Sequence, residues 1–514
     1  MTLAAATAWA QPAPPAPRPA APVSELERAK RAADAAAAAR AAAEAALVRA
    51  LESAAAIERI RGELEAEQRA RSIEVRPPLA PEPATPRAAP APAAVAPAPS
   101  AVPPRPSGVV HRVGPDRALK RPSEAARIAQ PGDTVEIDAG TYEGDVAVWT
   151  QRGVTIRGVG GRVVLKAAGV AAEDRAIWIV RGAGVTVESI DFSGVSVPDS
   201  NGAGLSGEAG GLTIRRCRFY DNQIGVAVGD FDGDVLIEES EFFNNTVDHR
   251  ETGAVGHNVS IGRVASFTLR NSFVHRARTS DNVRSRARAN FILANRIVDE
   301  RDGAAGTAID VAEGHLAYIV GNVLHKGARG ESQVVVSFAS EAHSGEDRLY
   351  VVNNTIVTET PSGAFVRNGS ALPALVANNV LVGSAVALDG PGRLVGNLLV
   401  GTADTRGGLG RLFDTFRRYV GEGGAQAARP AEGAFAGNWI APDAGFADAA
   451  AYDYRLVRAS PAIDHGFDLK GDDPLLVPAL EYAHPAKAAP RKKVGAIDIG
   501  AFEFDGAGGE AGAK

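Results

Sequence analysis

The chain has 514 residues, with 55 Lys and Arg against 61 Asp and Glu and a formal net charge of −6. So even a balance excludes a nucleic-acid binder that relies on bulk positive charge. The single cysteine, Cys217, excludes an internal disulfide framework and a cysteine-built zinc site, and no apolar run of about 18 residues offers a transmembrane segment. Abundant Gly (56) and Pro (32) with 6% aromatics suit many short strands and tight turns.

Residues 1–23 open with a short apolar run ending in Ala8-Trp9-Ala10, which is like the hydrophobic stretch and small-residue cleavage site of a secretory signal peptide. The basic start of such a signal is missing, the first positive residue being Arg18, so we expect a signal truncated at its N-terminus and a periplasmic or secreted protein. A plain Ala/Pro-rich start is the alternative. Residues 24–75 turn to Ala, Glu, Arg and Leu, with Ser24 and Glu27 spaced as a capping box. Leu47, Leu51, Ala54, Ile57, Ile60 and Leu64 mark an apolar stripe. A long α-helix is expected here, self-associating as a coiled coil or standing as a solvated spacer. Residues 76–107 form a Pro/Ala-rich linker.

From residue 108 to 505 one phrase recurs imperfectly. Cys217, Ser240, Ser272, Asn295, Asn322, Asn354, Asn379 and Asn397 head short apolar strands at steps of 23, 32, 23, 27, 32, 25 and 18 residues. A recurrence in the twenties with variable insertions marks a solenoid. Each unit reads as short β-strands separated by Gly, Asn or Asp, which excludes a helical repeat. The expected fold is therefore all-β, a right-handed parallel β-helix in which the Ser/Asn side chains stack from coil to coil. Pro122–Tyr142 reads as a short helix, a Pro-Gly turn and a strand that cover the open end. Residues 506–514 are a tail.

The Pro131-Gly132-Asp133 turn, together with Ser460-Pro461-Ala462-Ile463-Asp464 and Asp498-Ile499-Gly500-Ala501-Phe502-Glu503 near the other end, resembles bacterial parallel β-helix proteins of the pectate-lyase-like superfamily. That resemblance implies the fold over roughly residues 110 to 505, but not one activity, because the superfamily mixes lyases, hydrolases, epimerases and non-catalytic surface proteins.

Six of the nine histidines lie between His249 and His343. Within this stretch His257-Asn258-Val259-Ser260-Ile261 and Asp281-Asn282-Val283-Arg284-Ser285-Arg286 are offset by one coil, followed by Thr307-Ala308-Ile309-Asp310-Val311. If Val259, Val283 and Ile309 point inward, then Asn258, Ser260, Asn282, Arg284, Arg286 and Asp310 point outward. Such a patch suits an acidic polysaccharide. Arg284 and Arg286 offer forked carboxylate recognition, and His257 or His275 a proton carrier. Asn258, Ser260, Asn282, Asp310 and His315 are the expected substrate-binding residues.

The phrase Asp281–Arg286, followed by Asn290-Phe291-Ile292-Leu293-Ala294-Asn295, also resembles the catalytic coil of the alginate lyase and chondroitinase B family. The resemblance implies β-elimination on a uronic-acid polymer, with Arg284-Ser285 standing where that family has a Lys-Ser pair. It also implies a Ca2+ site, for which Asp281, Glu300 and Asp310 are the candidate ligands, although Asp299-Glu300-Arg301-Asp302 reads equally as a solvated turn. A structural alternative is that Arg284, Arg286 and Asp310 form a surface ion-pair ladder, and Asn258 and Asn282 a stacked amide ladder. On that reading the chain is a non-catalytic envelope or surface protein that binds glycan or scaffolds an assembly.

Overall fold

A computed structural model describes residues 108–245, 256–278, 280–301, 303–403, 429–430, 437–469 and 473–506. The signal-like start, the helix expected over 24–75 with its self-association, the linker and the tail beyond residue 506 lie outside the described residues.

The repeat becomes a stack of parallel coils. Each coil contributes one strand to a ten-stranded sheet that runs from Ala147–Trp149 to Val386–Asp389, every neighbour parallel. It contributes two more to a second sheet, as in Asp234–Glu238 and Glu241–Phe243, and each strand pairs with its equivalent in the next coil. This is a parallel β-helix, as expected. Alternation along each strand sends apolar side chains inward, so Trp178, Leu205, Val226, Val259, Val283, Ile309, Val336 and Val366 form one continuous buried column. Trp178 meets Trp149 and Phe192 edge to face at 5.2 Å between centroids, and Phe192, Phe219 and Phe242 then stack ring on ring at 4.8 and 5.0 Å, the spacing of adjacent strands.

The turn joining the two strands of the second sheet explains the recurring Ser and Asn. Its first residue takes the left-handed conformation (Arg216, Glu239, Asn271, Ala294, Gly321, Asn353, Asn378, Gly396). The repeated residue follows it and is buried. Its side chain accepts from the backbone N–H of its counterpart one coil earlier: Asn295 N to Asn322 Oδ1 at 2.9 Å, Asn322 N to Asn354 Oδ1 at 2.9 Å, and Asn354 N to Asn379 Oδ1 at 2.8 Å. The expected stack is present in every rung. The left-handed residue is the one before the repeated Ser or Asn. Asn438, accepting from Asn397 N at 3.0 Å, is one further rung that a 41-residue step hid from the spacing pattern.

At the N-terminal end the helix Pro122–Ile128 buries Ala125 and Ala126 in the same core as Val113 and Trp149. An additional strand, Val110–Val113, precedes it and pairs with Thr134–Glu143. At the other end Trp439–Ile440 adds the last rung, and the chain then turns back along the outside of the second sheet. This strap is held by Gly500 N to Asn378 O (2.8 Å), Ala501 N to Thr355 Oγ1 (3.0 Å) and Arg296 Nη1 to Tyr452 O (2.9 Å). Its own centre is the buried Arg491, which donates to Glu503, Gly500 O and Asp498 O. The strap covers much of the outer face of the second sheet with Leu469, Leu476, Tyr454 and Tyr482. Among the described residues no helix is long and apolar enough to cross a membrane.

Candidate functional site

The outward column of the ten-stranded sheet reads Ser206, Ala227, Ser260, Arg284, Asp310, Ser337, Arg367 along successive coils. Small residues on the earlier coils and charged ones on the later coils leave an open groove of about 540 Å³. It is lined by His257, Ser260, Ser280, Asp281, Arg284, Arg286, Gly306, Glu331, Ser332 and Glu341, with Ile224 at one edge.

Arg284 is its centre. Nη1 donates to Asp310 Oδ2 at 2.7 Å and to Asp281 Oδ2 at 3.3 Å, while Nη2 donates to Glu341. Burial alone would lower the pKa of this guanidinium, yet the charges of Asp310, Asp281 and Glu341 raise it, so it stays a cation. Asp281 Oδ1 accepts from both N and Oγ1 of Thr307 at 2.8 Å. Gly306 makes that approach possible, since a Cβ there would lie 2.9 Å from Asp281 Oδ1. Asp310 accepts from Ser340 Oγ at 2.8 Å, and burial, together with the Asp281 charge, pushes its carboxyl upward despite Arg284.

Arg286 meets Glu341 fork-on, Nε to Oε2 at 2.8 Å and Nη2 to Oε1 at 2.9 Å. The two arginines thus hold one carboxylate between them, from an exposed residue 55 positions away in the chain. Glu341 is in turn held below the usual carboxylate range, first by its bond to Arg286.

His257 is buried, with Nδ1 3.6 Å from Asp281 Oδ2 and no hydrogen-bond partner for Nδ1 among the described residues. Burial, outweighing the pull of Asp281, lowers its pKa to about 4. It is therefore a neutral imidazole at neutral pH, able to accept a proton.

The structure unites Ser260, His257, Arg284, Arg286, Asp310 and Asp281 and separates the rest of the expected set. Asn258 and Asn282 do not point outward. They precede the strands, at a bend where alternation does not apply, and both are fully buried. They form a second internal ladder, Asn245 Nδ2 to Asn258 Oδ1 and Asn258 Nδ2 to Asn282 Oδ1 at 2.8 Å, then Asn282 Nδ2 to Asp299 Oδ1 at 3.1 Å, where the buried Lys326 closes it through Asp299 Oδ2. Ser285 is likewise inward, donating to Asn290 Oδ1 at 2.6 Å, so Arg284-Ser285 is not a surface pair.

His275 belongs to the second sheet. It stacks on Phe243 and Phe273, and Phe273 packs against Tyr482 and His484 of the strap. His315 sits in a turn, its N–H donating to Asp347 at 2.7 Å, and does not line the groove. Glu300 holds Arg276 at 2.7 Å on the edge of the second sheet. Asp281 and Asp310 both accept from the Arg284 guanidinium, and among the described residues no three His, Cys, Asp or Glu side chains gather to hold a metal ion. Sequence reasoning missed Glu341 and Ser340 altogether. No local signal announces them, because they enter from a loop one coil beyond Asp310.

No family model matches the chain, and no curated protein matches it. Among solved structures it is similar in fold to pectate lyase Pel9A, with a TM-score of 0.45 and 12% identity over 77% of this chain and 97% of that one. It is also similar to a PL6 alginate lyase in complex with a trisaccharide, with a TM-score of 0.34 and 14% identity over 55% of this chain and 56% of the other.

Proposed function

We propose that the chain is a carbohydrate-active β-helix protein that binds an acidic, uronic-acid polysaccharide in this groove and cleaves it by β-elimination. One observation carries the reading: Arg284 and Arg286 already clasp a carboxylate, that of Glu341, which is exposed and so exchangeable for the carboxylate of a sugar. Holding a uronate there neutralises the charge that makes the proton on C5 hard to remove. The remaining groups are shifted in opposite senses. His257 is a free base, with Asp281 beside Nδ1 to support the charge it gains, and Asp310 is raised toward its protonated form. In the elimination His257 takes the C5 proton, the C4–O bond breaks as the C4–C5 double bond forms, and Asp310 returns a proton to the leaving oxygen.

A second reading, hydrolysis, is favoured by the placement of Asp281 and Asp310 on one guanidinium nitrogen, a close carboxylate pair of which one is pushed toward the acid form. The Ala-rich start ending in Ala8-Trp9-Ala10 supports work outside the cytoplasm.

The test is incubation of the purified protein with alginate, chondroitin and polygalacturonate. Ultraviolet absorbance of an unsaturated product that disappears in Arg284→Ala establishes elimination. New reducing ends without absorbance establish hydrolysis. Binding without either product makes the chain a glycan-binding surface protein and rejects both chemistries.

A further inference from the structure

Beside the groove lies a second depression, of about 500 Å³, lined by Asn244, Arg276, Arg278, Ala304 and Arg329. Its position follows from the chain. The three loops that carry the coil from the second sheet to the ten-stranded sheet each line both hollows within a few residues. Arg278 is followed by Ser280 and Asp281, Ala304 by Gly306, and Arg329 by Glu331 and Ser332. Two or three residues span at most about 10 Å, the length of one or two pyranose rings, so a polymer seated on Arg284 reaches the second hollow with its next sugars.

The two hollows differ in charge. In the groove Arg284 is surrounded by Asp281, Asp310 and Glu341, and Arg286 is shared between Glu341 and Glu313. In the second hollow the charged lining residues, among the described ones, are three arginines. Arg276 is steadied by Glu300 and still two-fifths exposed, while Arg278 and Arg329 are exposed.

From this we infer a separate anion subsite: Arg276, Arg278 and Arg329 take the carboxylate or sulfate ester of a sugar one or two residues along from the bond placed over Asp281 and Asp310. This rests on the polysaccharide reading and adds to it where the polymer's charge is recognised. Three forked donors lining one hollow suit a second anion on the polymer, so the trio adds to the recognition of charge that the Arg284–Arg286 pair begins.

The test is calorimetric titration of the full chain, in an Asp310→Asn background to prevent turnover. The probes are a hexauronate, a sulfated hexasaccharide, a neutral hexasaccharide and inorganic sulfate. Removing two forked donors with Arg278→Ala/Arg329→Ala is expected to weaken the charged hexasaccharide that binds by about tenfold or more, to weaken inorganic sulfate too, and to leave the neutral sugar unchanged. Whether the uronate or the sulfated probe responds identifies the anion. Because Arg278 and Arg329 are exposed, the milder pair Arg278→Lys/Arg329→Lys serves as a folded control and should keep part of the affinity. Unchanged affinity in the alanine variant overturns the subsite and leaves the centre at Arg284 standing. Failure of the parent protein to bind any anionic probe overturns it as well. Loss of turnover in Asp310→Asn alone, in an otherwise unmodified chain, reports only on the reaction centre.

Discussion

Replacing Asn354 by Ala tests what holds the coils in register. The side chain is fully buried and makes four bonds to neighbouring coils: Oδ1 accepts from Asn322 N and Nδ2, each at 2.9 Å, and Nδ2 donates to Asn379 Oδ1 at 3.0 Å and Ile319 O at 2.8 Å. Alanine leaves Asn322 N, Asn322 Nδ2 and Ile319 O without these partners in the interior. At about 1–3 kcal/mol for each stranded buried group, and with partial relief from entering water, the expected loss is about 3–6 kcal/mol. Urea unfolding followed by circular dichroism should show a lower midpoint with an unchanged slope. Asn354→Asp sharpens the test. It keeps the acceptor but turns the donor into a second oxygen facing Asn379 Oδ1 and Ile319 O, so the fold accepts it only protonated. Its folded pKa is then raised, and stability is present at acid pH and lost as pH rises through that value. A loss below about 1 kcal/mol for the alanine variant, or no pH dependence for the aspartate, would show that the ladder is a by-product of the fold and not a stabilising element.

Three further outcomes are expected. Glu341→Ala frees the Arg284–Arg286 clasp and should lower KM for a uronate polymer several-fold with little change in kcat, read from initial rates; an unchanged KM removes Glu341 as the occupant of the substrate's position. Arg284→Met leaves Asp281 and Asp310 crowded without their shared cation and should cost about 2–4 kcal/mol in chemical denaturation, as well as abolishing turnover. His325, buried against Tyr452 and lowered by burial to about 4, is neutral in the fold. The unfolded chain takes up the proton first, so stability present above about pH 6.5 is lost as pH falls toward 4, by up to about 3 kcal/mol. His325→Phe should flatten that part of the pH profile, and an unaltered profile assigns the acid sensitivity elsewhere.

The coil stack was legible in the residues because its cause is local and repeats. A Ser or Asn two dozen or so residues after the last one can bond only to its counterpart directly above, and Val259, Val283 and Ile309 face inward by the alternation of any strand. The same rule placed Ser260, Arg284 and Asp310 in one outward column, where the structure has them. It fails one residue before the strand. There Asn258 and Asn282 sit at a bend, follow no alternation and turn into the interior.

What the amino-acid order alone settled, then, is the repeat, the inward and outward faces of each strand, and the neighbours directly above and below. Tertiary structure decided what the loops and the returning strap do to those faces. The strap lays Tyr452 against His325 and Tyr482 against Phe273, the ring on which His275 stacks, and Glu341 swings in to occupy the arginine pair. Loop length sets neither outcome. Both depend on contacts between residues 55 to more than 100 positions apart in the chain, which carry no period for the sequence to display.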